Sequence, residues 1–587
     1  MTAVHSLTQS MVDSLGAGYG DAEAIGRLRA GQVSKRLLLL RTLLDAAPSP
    51  RLDDYYALLV DAQRRSPGAV TDALAEPHVG AWLASSLRRL RGAWSGAHPI
   101  EADLAHLGAV AAAAAVRAGL EFTVDLLARD GWLMLPTLGR ARVSGEGDVA
   151  VRHAGGRLTV GSVVAGAGTG WQELRVLHCK ADELELRVRL DDIDPFRDCH
   201  RLSAAGRCGG AEVERWQHLL DEAWPMLTAH HRRYAEAIAT GLVTLVPLHT
   251  ERTNLGVNVT SMDAFGAVSL TRPADGVALA VGLLHEFQHA KLGALIDLVP
   301  LYERDDRPRY YAPWRDDPRP LGALLQGVYA FHGVTDFWRV QRRVLSGGRA
   351  RYAQVEFVRW RDRVWRTLGV LEESDRFTAV GRHLLSRLRA VQRDWQAEPA
   401  PAGTVELARE AAEDHWVGWR LRNARPAPEA VARLADAWRS GLDCPVETVE
   451  IGVEPRPRAL AQSVRLDLVQ LRVLDPSRFA GLVSDPAGLA SLVPNATPAD
   501  LALAGGDLAA ARDAYAAEVA ADPDRLDAWI GLSLACQRQE PRLLDFPELC
   551  LAVHRHLRES GESPPDPIAL ARWLVPVRGT DGTAASR

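Results

Sequence analysis

The chain reads as an α+β protein that is mostly helical, and three observations predict this class. Long stretches place apolar residues at helical spacing, as in Ser34-Lys-Arg-Leu-Leu-Leu-Leu-Arg-Thr-Leu-Leu44. One interval, from about Gly131 to Asp198, switches to apolar/polar alternation between glycine-rich turns, as in Val149-Ala-Val-Arg, Arg157-Leu-Thr-Val-Gly and Leu184-Glu-Leu-Arg-Val-Arg-Leu190. Proline clusters then break the helical text early (Pro48, Pro50, Pro67) and late (Pro426, Pro428, Pro455). At 587 residues, with 47% apolar and 24% charged side chains, the chain has room for several cores of ordinary globular composition.

Taken in order, residues 1–129 form a helical N-terminal region in which 100–127 keeps helical spacing, and 130–205 form the small β-rich unit. Residues 206–425 make a helical core with a short sheet, its strands expected at 242–248, 255–260 and 266–271. Residues 426–494 read as a helical connector. Residues 495–587 form a helical C-terminal region. There Ala504-Gly-Gly-Asp-Leu-Ala-Ala-Ala-Arg-Asp-Ala-Tyr515, followed by Ala528-Trp-Ile-Gly-Leu-Ser-Leu-Ala535, resembles one tetratricopeptide-like unit or an ordinary helical hairpin.

Composition excludes several classes. The net charge of −5 offers no basic field for nucleic acid or an anionic membrane. Only Lys35, Lys180 and Lys291 among 69 basic residues are lysines, a bias that suits a GC-rich genome more than a function. The six cysteines are scattered without a C-x-x-C pair, which argues against a disulfide framework or an iron-sulfur cluster. The alanine-rich stretch at 107–116 is too short to span a bilayer, and Met1 to Ala17 lacks a signal-peptide pattern, so a cytoplasmic protein is expected.

The chemistry concentrates in Val281-Gly-Leu-Leu-His285-Glu286-Phe-Gln-His289-Ala, an H-E-x-x-H pattern. Two imidazoles four residues apart lie one turn apart on one helix face, where both can reach a single divalent metal. Pro273 and Asp275 suit the start of this helix, which runs without proline to Leu298. Glu286 then stands beside the metal as a catalytic carboxylate, taking a proton from bound water in a hydrolase or orienting water or substrate in an oxygenase. An amphipathic core helix with two satisfied histidines is the competing interpretation.

Two histidines do not complete a site. A helix expected over 321–338 carries His332 and Asp336 one turn apart. His332 is the first choice for third ligand, whereas Asp336 would give a two-histidine, one-carboxylate triad of the kind used by non-haem iron. Between the two helices, Arg309, Arg315 and Arg319 present guanidinium forks that could hold a cosubstrate carboxylate or else pair with Asp305, Asp316 or Asp317. Lys291, two residues past His289, is expected to point away from the metal.

His285-Glu-Phe-Gln-His289-Ala-Lys-Leu-Gly-Ala-Leu-Ile-Asp-Leu, Tyr311-Ala-Pro-Trp-Arg-Asp-Asp-Pro-Arg-Pro-Leu321 and Leu325-Gln-Gly-Val-Tyr-Ala-Phe-His332 together resemble the HExxH-motif peptide-modification proteins. These accompany or are fused to FxsB-type radical-SAM maturases in the biosynthesis of ribosomally made, modified peptides. The stretches at 28–41, 171–175 and 191–196 share that texture, so the resemblance spans roughly residues 20–425. It implies an Fe(II)- and α-ketoglutarate-dependent peptide β-hydroxylase, with His285 and His289 on iron, an arginine on α-ketoglutarate, a precursor peptide as substrate and a radical-SAM maturase as partner. A zinc metallopeptidase acting on the same precursor, and a non-catalytic scaffold for the maturase, are the alternatives.

Overall fold

The computed structural model describes residues 5–581 except 97, 146, 199–203, 250–257, 457–462, 538–539 and 562–564. Cys199 and the first part of the strand expected at 255–260 lie outside the described residues. The fold is α+β and mostly helical, and it divides into two compact units, Met1–Leu301 and Tyr302–Arg587. That division falls inside the 206–425 span. It leaves the H-E-x-x-H helix in the first unit and the 321–338 segment in the second.

In the first unit, helices Ala22–Ala46, Pro50–Arg65, Pro67–Leu74 and Pro77–Leu90 start at proline or at a capping aspartate, here Asp21, whose side chain accepts from the Ala24 amide at 2.8 Å. They pack around His106–Arg117, whose alanine run is buried from Ala109 to Ala115. That run is a helix core, and no helix among the described residues is long and apolar enough to cross a membrane.

Helical spacing over 100–127 misreads its last ten residues. The helix ends at Arg117, Gly119 turns the chain at φ +68°, and Phe122–Leu127 pairs antiparallel with Asp148–Ala154. The reason is local: a left-handed residue stops the helix, and the aromatic and β-branched residues Phe122, Thr123 and Val124 then suit a pleated ladder. Asp148–Ala154 continues through Arg157–Val160 to Val163–Val164, while Trp132–Leu135, Gly139–Arg142 and Trp171–Glu173 make a separate three-stranded sheet.

The sheet that positions the motif has five strands in the order Asn258–Val259, Ala267–Leu270, Thr244–Pro247, Leu184–Leu190, Arg175–Ala181. Thr244–Pro247 runs parallel to both its neighbours, and Ala267–Leu270 and Thr244–Pro247 are buried throughout, as befits inner parallel strands. Ala267–Leu270 leads directly into helix Gly276–Leu298.

In the second unit, helices Leu321–Val344, Gly347–Glu372, Ala379–Gln396 and Ala402–Asn423 form the larger body. A three-stranded sheet (Ala424–Pro426, Thr448–Val453, Arg578–Asp581) and the C-terminal helices follow. Leu508–Ala521 and Leu526–Ala535 form the helical hairpin expected near the C-terminus, after helix Pro498–Gly505 with its Thr497–Asp500 capping box.

Candidate metal centre

Helix Gly276–Leu298 begins where Asp275, in extended backbone, accepts from the Ala278 amide at 2.9 Å, and Glu222 accepts from Gly276 at 2.9 Å. The helix is apolar almost all round, with Leu279, Leu283, Leu284, Phe287 and Leu292 buried. Val281, His285 and His289 are the half-buried residues of its central turns, spaced by one turn each. The two imidazoles meet edge to face with centroids 4.9 Å apart, as the spacing predicts. Burial, and secondarily His289, lower the His285 pKa well below the usual histidine value, so its ring is neutral at pH 7 and carries the lone pair a metal requires.

Glu286 points to the inner side of the helix and is 2% exposed. Thr260, just past the edge strand, sets its hydroxyl oxygen 2.8 Å from Glu286 Oε2 and 3.1 Å from the Glu286 carbonyl oxygen. The other carboxylate oxygen lies 3.8 Å from His285 Nε2. Burial pushes the Glu286 carboxyl up to about 8 against the opposing effect of Thr260. The two imidazoles are metal-ligand types on one helix face, and the His285 ring is neutral, while burial favours the protonated Glu286 carboxyl.

Lys291 turns away from the two histidines, as expected. Its ammonium donates to the carbonyls of Gly18, at 2.9 Å, and of Tyr19, and Gln288 donates to the same Gly18 carbonyl at 3.0 Å. The helix face behind the motif is thereby tied to the N-terminal segment of its own unit.

In the second unit, His332 is fully buried on helix Leu321–Val344, its Nδ1 3.2 Å from Gln392 Nε2 and its ring stacked on Trp395 at 4.6 Å. Asp336 accepts from Arg339 at 2.8 Å. The three candidate anion-binding arginines each face an aspartate: Arg309 meets Asp305 at 3.0 Å, Arg315 grips Asp317 through Nε and Nη2 at 2.7 and 3.1 Å, and Arg319 reaches Asp317 at 3.1 Å. Against the effect of burial, Arg315 and Arg319 hold the Asp317 carboxyl below its usual range.

One group was not visible in the sequence. Glu76, His78 and Asp191, all buried in the first unit, bring ligand-type atoms within 4.8 Å of one another. His78 Nδ1 stands 3.1 Å from Asp191 Oδ2 and 3.9 Å from Asp194 Oδ2, while Asp191 Oδ1 accepts from the amides of Ile193 and Asp194. Glu76 faces Arg189. Burial favours a neutral His78 ring, but Asp194 and Asp191 outweigh it and raise the pKa to about 9. Its charge and that of Arg189 then offset Asp191 and Glu76, so a metal would have to displace the His78 proton and compete with Arg189. Residues 76 and 191 are too far apart for any sequence pattern to have paired them.

No protein-family model matches the chain, and no curated protein does either.

Proposed function

We propose that this chain is a metal-dependent enzyme of peptide maturation, an Fe(II)- and α-ketoglutarate-dependent β-hydroxylase of a ribosomally made precursor, with His285 and His289 as metal ligands. The observation that carries the metal is the pair of half-buried imidazoles one turn apart beside a buried carboxylate, the His285 ring being neutral. Iron, α-ketoglutarate and the precursor rest on the resemblance of residues 281–338 to the HExxH-motif peptide-modification proteins. Bound iron would supply oxygen activation, α-ketoglutarate the electrons, and the net reaction converts a C–H bond to C–OH while releasing succinate and CO2.

The chain's own residues do the rest. His285 and His289 hold the metal from one helix face, and Thr260 fixes the Glu286 carboxyl, which orients water or substrate by hydrogen bonding. Asn258–Val259, the outermost strand of its sheet among the described residues, supplies an edge to which an extended peptide can add by main-chain hydrogen bonds. A zinc peptidase is the second reading. It is favoured by the elevated Glu286 pKa, which suits a general base working near neutral pH.

Metal analysis of anaerobically purified chain separates the two, followed by incubation with the precursor peptide encoded beside it, Fe(II), α-ketoglutarate and O2. The expected result is one iron per chain and a peptide heavier by one oxygen atom, with succinate released and both products lost in His285→Ala and His289→Ala. Cleavage of the peptide by zinc-loaded protein, with no oxygen incorporated under iron, overturns the hydroxylase in favour of the peptidase.

A further inference from the structure

Helices Gly347–Glu372 and Ala402–Asn423, with the 311–313 segment, enclose a cavity of about 270 Å³ within the second unit. That volume lies just below the range of about 300–1,000 Å³ usual for ligand pockets and suits a small ligand. Val358, Val370, Ala408, Ala412 and Trp416 give it apolar walls, and Arg359, Arg363, Arg366 and Arg409 add four guanidinium groups.

The polar atoms of this lining are unbalanced in one direction. Arg363 is 5% exposed, and its Nη groups donate to the carbonyls of Pro313 and Ala411 at 3.2 and 2.8 Å and to the Tyr311 hydroxyl at 3.3 Å. It makes no ion pair among the described residues, and Glu356 acts on it only from beyond ion-pair distance. Three buried donors on lining side chains, Arg363 Nε, Arg359 Nε and Trp416 Nε1, have no acceptor. The acids about the lining are already engaged: Glu413 takes Arg409 at 2.7 Å, Asp362 takes Arg361 at 2.9 Å and Glu356 takes Arg359 at 3.2 Å. Arg366 is exposed and unpaired among the described residues.

A buried charge without an ion pair is unfavourable, and a ligand carrying acceptor oxygens in the cavity relieves it. Apolar walls around those donors select the remainder of that ligand. We propose that this cavity binds a small organic carboxylate with an apolar tail, its carboxylate held by Arg363, Arg359 and Arg366 and its tail lying against Val358, Val370 and Trp416. This site is independent of the H-E-x-x-H reading and stands if that reading fails.

Calorimetric titration of the full chain with hexanoate, hexan-1-ol and inorganic phosphate tests it. Hexanoate is expected to bind saturably at one site, at least about tenfold tighter than hexanol or phosphate, because charge-assisted hydrogen bonds and tail burial act together. Arg366→Glu, on an exposed residue whose change leaves the fold intact, is expected to weaken hexanoate about tenfold, and Ala412→Phe, which fills the cavity, to abolish it with an unchanged melting curve. Equal binding of hexanol removes the anion site, and equal binding of phosphate removes the apolar one. Undiminished hexanoate binding in both variants, or no saturable heat at all, overturns the proposal.

Discussion

Replacing His78 by Gln should change stability in a pH-dependent way that follows from its buried surroundings. His78 has a folded pKa of about 9 against an ordinary value of 6.5, set by Asp194 and Asp191 against burial. A group raised on folding stabilises fully below its unfolded pKa, and that contribution disappears as pH rises through the folded value. Linkage between 6.5 and 9 gives about 3 kcal/mol at pH 6, about 2 kcal/mol at pH 7.5 and under about 0.5 kcal/mol at pH 9. The glutamine variant lacks this term but keeps a similar shape, so its deficit should shrink over the same window, on top of a constant loss from packing.

A chain of two units need not unfold in one step, so the suitable readout is local. Amide hydrogen exchange of peptides from helix Pro77–Leu90, compared between wild type and variant at each pH, reports opening of the element that carries His78. A deficit that stays flat from pH 6 to 9 would mean that the ring is neutral in the fold and refute the charge assignment. A deficit that grows with pH and collapses on adding EDTA would mean that a metal, rather than a proton, joins His78 to Asp191 and Glu76.

Arg465→Met should lower the melting temperature of the second unit strongly, because Arg465 is buried between Asp414 and Asp500 and its loss strands two carboxylates at about 3–5 kcal/mol; adding Asp414→Asn and Asp500→Asn should recover part of it. Gly327→Ala should cost about 1–3 kcal/mol, since a Cβ there would lie 2.2 Å from the Trp314 ring, which stacks on Phe331; thermal melts and the near-ultraviolet tryptophan signal check it. Thr260→Val should leave metal content unchanged while slowing turnover about ten- to hundredfold, the usual effect of losing a group that orients a catalytic carboxylate. Unaltered turnover in that variant would remove Thr260 from the site.

The sequence made the motif helix legible because its signals are local. Asp275 caps it, four-residue spacing sets both histidines on one face, and Ala267–Leu270 precedes it as alternation and β-branching suggested. Helical spacing failed at 118–127, where one glycine in a left-handed conformation outweighed apolar periodicity. The remaining contacts are long-range: Thr260 with Glu286, His78 with Asp191, and Lys291 with the turn at Gly18 and Tyr19. Those pairings depend on how sheet and helices stack, which residue spacing does not encode. The arginines at 309, 315 and 319 show the same limit in reverse, since neighbours two to four residues away in sequence, Asp305 and Asp317, take them up.

The buried histidines of this fold contrast with the motif pair, and the difference bears on the proposed metal. His78, His153, His332 and His554 are at most 8% exposed, and each ring is fixed by an ion pair, a carbonyl, an amide or an aromatic face. Those are the marks of histidines used as polar core residues. His285 keeps 20% of its side chain exposed on a helix whose neighbouring positions are almost all buried, and it shares that half-open stripe with His289 one turn on. A helix that buries Leu283, Leu284 and Phe287 could have buried leucines there too, at a gain of about 1.5–3 kcal/mol each. Keeping two imidazoles edge to face at that boundary forgoes that packing energy. The proposed divalent metal would use both nitrogen lone pairs and give that stripe its purpose.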